Sequence, residues 1–68
     1  MVLTIELDRE EDGRWIAEVL ELPGAMAYGN SPDEAMAHAK AIALHAVADR
    51  LEHGEAEARL SDVTFSVV

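Results

Sequence analysis

Residues 21–35 read Glu21-Leu22-Pro23-Gly24-Ala25-Met26-Ala27-Tyr28-Gly29-Asn30-Ser31-Pro32-Asp33-Glu34-Ala35, and this stretch decides the fold. Pro23 removes a backbone donor and Gly24 permits a turn, so Leu22-Pro23-Gly24 ends whatever strand precedes it. Ala25 to Tyr28 then reads as a short strand, and Gly29-Asn30 as a second turn. A helix opens at once. Ser31 is the N-cap, with its hydroxyl placed to accept from the Glu34 N–H. Pro32 stands at the first helical position, where its missing N–H costs nothing. Glu34, three residues after the cap, predicts a capping box. Asp33 and Glu34 both face the positive end of the helix dipole.

Downstream, Ala35 to His53 is rich in Ala, Leu and Met, which are good helix formers. Arg50 and His53 suit the negative end, and Gly54 is the expected stop. The predicted helix is roughly 33 Å long. Ala35, Ala39, Ile42, Ala43, Ala46 and Val47 form a core-facing stripe of mostly small residues. Glu34, His38, His45, Asp49 and Glu52 form the opposite, solvated face. Leu44 and Leu51 flank the stripe, and they either cover a sheet edge or meet a second subunit.

Upstream, Val2 to Asp8 alternates as a half-buried strand, with Leu3, Ile5 and Leu7 on one side. Asp12-Gly13 is a hairpin dipeptide, both residues tolerating positive φ. Trp15 to Leu20 is the second strand: Trp15, Ala17 and Val19 share one face, Ile16, Glu18 and Leu20 the other. Both faces carry apolar residues, so something besides the helix is expected to cover the second one. Residues 55–61 form a charged connector, and Val63, Phe65 and Val67 alternate in a fourth strand. The expected fold class is α+β: a β-β-β-α-β order, with an antiparallel three-strand meander, a fourth strand, and one long helix on one face. Residues 1–68 make a single domain.

A chain of 68 residues buries only about 60% of the surface its unfolded form exposes. It has no cysteine for a disulfide or a thiolate zinc site. Self-association, as dimer or tetramer, is the remaining remedy for a small core. No apolar run approaches the ~18 residues a membrane span needs. The start Met1-Val2-Leu3-Thr4-Ile5 lacks a basic signal-peptide region, and the expected location is the cytoplasm.

Fourteen acidic residues face five basic ones, for a net charge of −9. Such a field repels a phosphate backbone, so no nucleic-acid binding by this chain is expected. It attracts a basic protein. The acidic hairpin tip Glu10, Glu11 and Asp12, together with Trp15, Leu44 and Leu51, are the candidate contacts for a partner or a second subunit. The tip also reads simply as a solvated turn, and Trp15 as core.

The chemistry of catalysis is largely missing. There is no Ser or Cys nucleophile motif and no phosphate-cradling loop. His45 and Asp49 stand at i,i+4, a metal-site spacing, but on a solvated face they read as a weak surface pair. Glu6, Asp8 and Glu18 put carboxylates on neighbouring strands, as metal-dependent nucleases do. The other reading is the polar side of a half-exposed sheet. No enzyme activity, cofactor or metal is expected.

The order of pieces resembles the HicB family of type II antitoxins. The pieces are Asp12-Gly13, the strand Trp15 to Leu20, E-L-P-G at Glu21 to Gly24, Y-G-N-S at Tyr28 to Ser31, D-E-A at Asp33 to Ala35, and Ala39 with Ala43. The resemblance covers about residues 10–50 and marks Leu22, Pro23, Gly24, Gly29, Ser31 and Glu34 as structural positions. It implies a reduced ribonuclease-H-like fold without catalytic carboxylates, self-association, and a partner of the HicA type, a small basic RNA-cleaving toxin that the antitoxin covers. Many such antitoxins carry a C-terminal DNA-binding domain. This sequence stops after its fourth strand, so operator binding does not carry over. A stand-alone interaction or regulatory domain with no toxin is the alternative, and a nuclease-like remnant a further one.

Overall fold

The computed structural model describes residues 1–54 and 62–68, so the connector read at 55–61 lies outside the described residues. The elements are β1 (Val2–Arg9), β2 (Trp15–Val19), β3 (Met26–Gly29), α1 (Pro32–Glu52) and β4 (Thr64–Val67). The strands form one mixed sheet in the order β3-β2-β1-β4. β1–β2 and β2–β3 pair antiparallel, while β4 runs parallel to β1. Tight turns keep the first three strands adjacent. The helix then carries the chain back over one face, so β4 enters in the direction of β1, as a crossover requires. The α+β class and the three-strand meander stand as expected. Among the described residues no helix is long and apolar enough to cross a membrane.

Each turn has a local chemical cause. Between β1 and β2 the only positive φ is that of Gly13 (92°). Asp12 tolerates that conformation but does not adopt it, and acts through its side chain. Its carboxylate accepts from the Arg14 N–H at 3.0 Å and from Arg14 Nε at 2.7 Å. A local acceptor at that position makes positive φ at Asp12 unnecessary. Between β2 and β3 the Ala25 N–H donates to the Leu22 carbonyl at 2.9 Å. Pro23 is second in that four-residue turn and Gly24, at φ 87°, is third. This is the sequence pattern of a type II turn. Leu22 and Ala25, its two ends, are both buried in the core. β2 therefore ends at Val19, and Leu20 is exposed rather than part of the strand.

Glu21 finishes the ladder that β2 leaves incomplete. Leu20 donates its N–H to the Thr4 carbonyl at 2.9 Å. Thr4 in turn donates its N–H (2.7 Å) and its hydroxyl (2.6 Å) to the two Glu21 carboxylate oxygens. These donors hold the Glu21 carboxyl below its ordinary value near 4.5, the Thr4 hydroxyl first and its N–H second. A carboxyl whose pKa falls on folding stabilises the protein fully above its unfolded-state value, and loses that contribution as pH drops through the folded one. Glu21→Gln is therefore expected to lower the urea midpoint at neutral pH. The gap from the parent should narrow below pH of about 4.5, where the parent carboxylate also takes up its proton. A gap of constant size across an acid titration would show that the tether contributes nothing through its charge.

The helix starts and stops largely as the sequence predicts. Ser31 Oγ accepts from the Glu34 N–H at 3.1 Å. The Glu34 carboxylate, however, reaches the Asn30 N–H (3.3 Å), one residue before the cap. At the other end Gly54 takes φ 71° and donates to the Leu51 carbonyl. Asp49 does not pair with His45 as expected. Its carboxylate lies 3.3 Å from His53 Nδ1, one turn further on.

Leu3, Ile5, Ala17, Val19, Leu22, Ala25, Ala35, Ala39, Ala43 and Val47 make the core. Trp15, Leu7, Ala27, Ala46, Val63 and Phe65 pack partly buried against it. Three helix alanines at intervals of four let α1 settle directly on β2 and β3. Ile42 was expected in this stripe but is 41% exposed. A contact line that is alanine at three of its four positions, Val47 being the fourth, brings helix and sheet so close that only a narrow strip is covered, and the larger Ile42 is left on its shoulder. Gly29 was read as a turn; it is the buried last residue of β3. A Cβ there would meet the helix backbone, at 2.9 Å from Glu34 C and 3.0 Å from Ala35 Cα. On β4, Phe65 faces the core while Val67 is exposed, because α1 lies over β2 and β3 and hardly reaches that edge.

Candidate protein-binding surface

With α1 on one side, the other side of the sheet has no covering layer among the described residues. Its composition follows from strand alternation. Trp15, Ala17 and Val19 turn toward the helix, so Ile16 and Glu18 turn away. Register then fixes their neighbours. One row runs Met26–Glu18–Glu6 and the next Tyr28–Ile16–Asp8. Glu6, Asp8, Arg9, Glu10, Ile16, Glu18 and Met26 line an open depression of about 400 Å³.

The four carboxylates of this depression outnumber its one cation, Arg9, and among the described residues Glu6, Asp8 and Glu18 form no ion pair. Glu6 and Glu18 are direct cross-strand partners. Like charges so placed oppose pairing, on a scale of about 0.2–1 kcal/mol. Among the described residues no cationic group lies within ion-pair distance of Glu6, Asp8 or Glu18. The nearby cations are engaged elsewhere. The Arg9 guanidinium sits over the Trp15 ring at 5.5 Å. Arg14 is held by Asp12 and lies 4.4 Å from the centre of the Tyr28 ring, at one corner of the open face. Lys40 lies over Phe65 on the helix side. Among the described residues no three His, Cys, Asp or Glu side chains are grouped to hold a metal ion.

The candidate contacts fall in three separate places. Glu10, Glu11 and Asp12 are exposed at the β1–β2 turn, with Glu10 on the rim of the depression. Trp15 is half-buried under Arg9 and packs on the core, so it is no open aromatic platform. Leu44 and Leu51 are 48% and 40% exposed on the helix. They continue the stripe of Lys40, which points toward β4. The six structural positions Leu22, Pro23, Gly24, Gly29, Ser31 and Glu34 all lie at the β2–β3 turn or where β3 meets the helix.

Glu6, Asp8 and Glu18 read from sequence chiefly as the polar side of a half-exposed sheet, with a metal cluster as the other reading, and they do share one open face. Sequence reading missed Met26 and Tyr28 as neighbours on the same face. Their alternation with Ala27 carried that signal, but a four-residue strand is too short to show it plainly. No family model, curated protein or solved structure matches this chain.

Proposed function

We infer that this domain is a protein-binding module of the HicB antitoxin kind, whose partner is a small basic protein, such as an RNA-cleaving toxin of the HicA type. The observation that carries this reading is the open sheet face, where Glu6, Asp8 and Glu18 form no ion pair among the described residues and Arg9 is the one cation beside them. Support also comes from the ordered series of turn and cap residues between Asp12 and Ala35, and from the net charge of −9. A strongly acidic surface steers basic partners and rejects phosphate backbones.

Coexpression with a small basic protein encoded beside this gene tests the reading. Copurification and restored growth of cells expressing that protein are the expected results. Absence of both would overturn it.

Self-association belongs to the same reading, with Leu44 and Leu51 as the exposed apolar pair on the helix. Leu44→Glu combined with Leu51→Glu is expected to reduce the sedimentation mass to that of one chain. An unchanged oligomeric mass would move the contact to the sheet or its edges.

A further inference from the structure

We propose that the partner docks on the open face of the sheet through a basic amphipathic helix, placing a Lys or Arg between Glu6 and Glu18 and an apolar side chain on Ile16 and Met26. This rests on the reading of the chain as a binder of basic protein, and adds where the partner sits and what it must present.

Four features select this face and this occupant. Among the described residues the sheet has no second covering layer, and what packs on the face of a sheet, as opposed to its edge, is a helix or another sheet. The depression mixes carboxylates with the half-buried Ile16 and the exposed Met26, so its complement is a cation beside a hydrocarbon. A second copy of this acidic chain would bring carboxylates against carboxylates here. Finally, Glu6 and Glu18 face each other and among the described residues neither forms an ion pair, an arrangement that opposes pairing of β1 and β2 in the free domain and is relieved by a partner's positive charge. The helix flank at Leu44 and Leu51 offers apolar surface but no comparable concentration of charge.

The test follows from that tension. Glu6→Gln with Glu18→Gln removes two charges from the face. Asp49→Asn with Glu52→Gln removes two from the outer side of the helix. The probe is a short amphipathic peptide with lysine and leucine at helical spacing, titrated at moderate salt and followed by amide chemical shifts. The expected result is that the parent protein shows its largest shifts at Ile16, Glu18 and Met26. The face variant should bind roughly tenfold or more weakly, since it loses charged partners at the contact. The helix variant should bind as the parent does. Glu18→Gln should also raise the urea midpoint of the free domain while weakening binding, opposite signs that a merely structural role would not produce.

Equal weakening in both variants, or shifts confined to the helix, would overturn the docking site while leaving the protein a binder of basic chains. No binding by the parent, at low salt as well, would overturn both.

Discussion

Gly29→Ala is expected to remove a large share of the domain's stability and to lower its urea midpoint markedly. The added methyl group would lie against Glu34 C and Ala35 Cα, at 2.9 and 3.0 Å, and closer still to the Ala35 nitrogen. All three are backbone atoms, so no side-chain rotation relieves the contact. Either β3 or the first turn of α1 has to shift. That turn is held by Ser31, by the Asn30–Glu34 bond and by the burial of Ala35 and Ala39 behind it. Overpacking of this kind costs about 1–3 kcal/mol and sometimes more. At the usual stability per residue, a domain of this size has only about 3–10 kcal/mol in all. A urea melt followed by far-ultraviolet dichroism measures the loss. A midpoint equal to the parent's would show that the helix start yields freely. Because Gly29 adjoins Tyr28 at the edge of the open face, a folded but shifted variant should also disturb that face.

Ile5→Ala is expected to be the most damaging substitution in the core. Ile5 is fully buried, on the strand that lies between β2 and β4, opposite Val19 on one side and Val67 on the other. Truncating a buried isoleucine costs about 2–5 kcal/mol, combining lost transfer energy with the cavity left behind. The neighbours are poorly able to fill that cavity. Much of the facing helix is alanine, already in direct contact with the sheet, so little side-chain volume is available to move. There is no disulfide to hold the chain together, either. Loss of the dispersed amide spectrum at neutral pH without denaturant is the expected result. Ile42→Ala is the matched control. The same truncation on the exposed shoulder of the helix should change stability by less than about 1 kcal/mol. If the two variants melted alike, the burial difference between Ile5 and Ile42 would not govern the core.

These two isoleucines show how the fold was and was not legible in sequence. Ile5 lies in a strand whose alternation with Thr4 and Glu6 marks its buried side unambiguously. Ile42 fits the helical stripe equally well on spacing alone. Periodicity places a residue on a side of the helix, but the width of the covered strip depends on how closely the helix approaches the sheet. The small size of Ala35, Ala39 and Ala43, combined with the bare backbone of Gly29, sets that approach. The candidate binding face behaves in the same way. Glu6, Asp8 and Glu18 could be read individually, while the direct opposition of Glu6 and Glu18, and the placing of Met26 and Tyr28 beside them, are matters of register between strands.

By itself, the sequence determined the elements and most of the turns and caps that bound them, though not the last residues of β2 and β3. Ser31 with Glu34, Pro23 with Gly24, Asp12 with Gly13, and Gly54 after the helix all act over a few residues, through bonds and φ values that need nothing distant. Tertiary structure alone decided the β3-β2-β1-β4 order with β4 parallel to β1, the seating of Gly29 under the helix, the exclusion of Ile42, and the tether from Glu21 to Thr4. Apart from the Gly29 contact, which spans five or six residues, these depend on segments well separated in the chain. Their energies depend on which surfaces the helix covers, and local propensity carries no information about that. The same division holds for function. The acidity was written in the composition, but the gathering of Glu6, Asp8 and Glu18 on one side of the sheet, uncovered among the described residues, came from strand pairing and from the helix settling on the other.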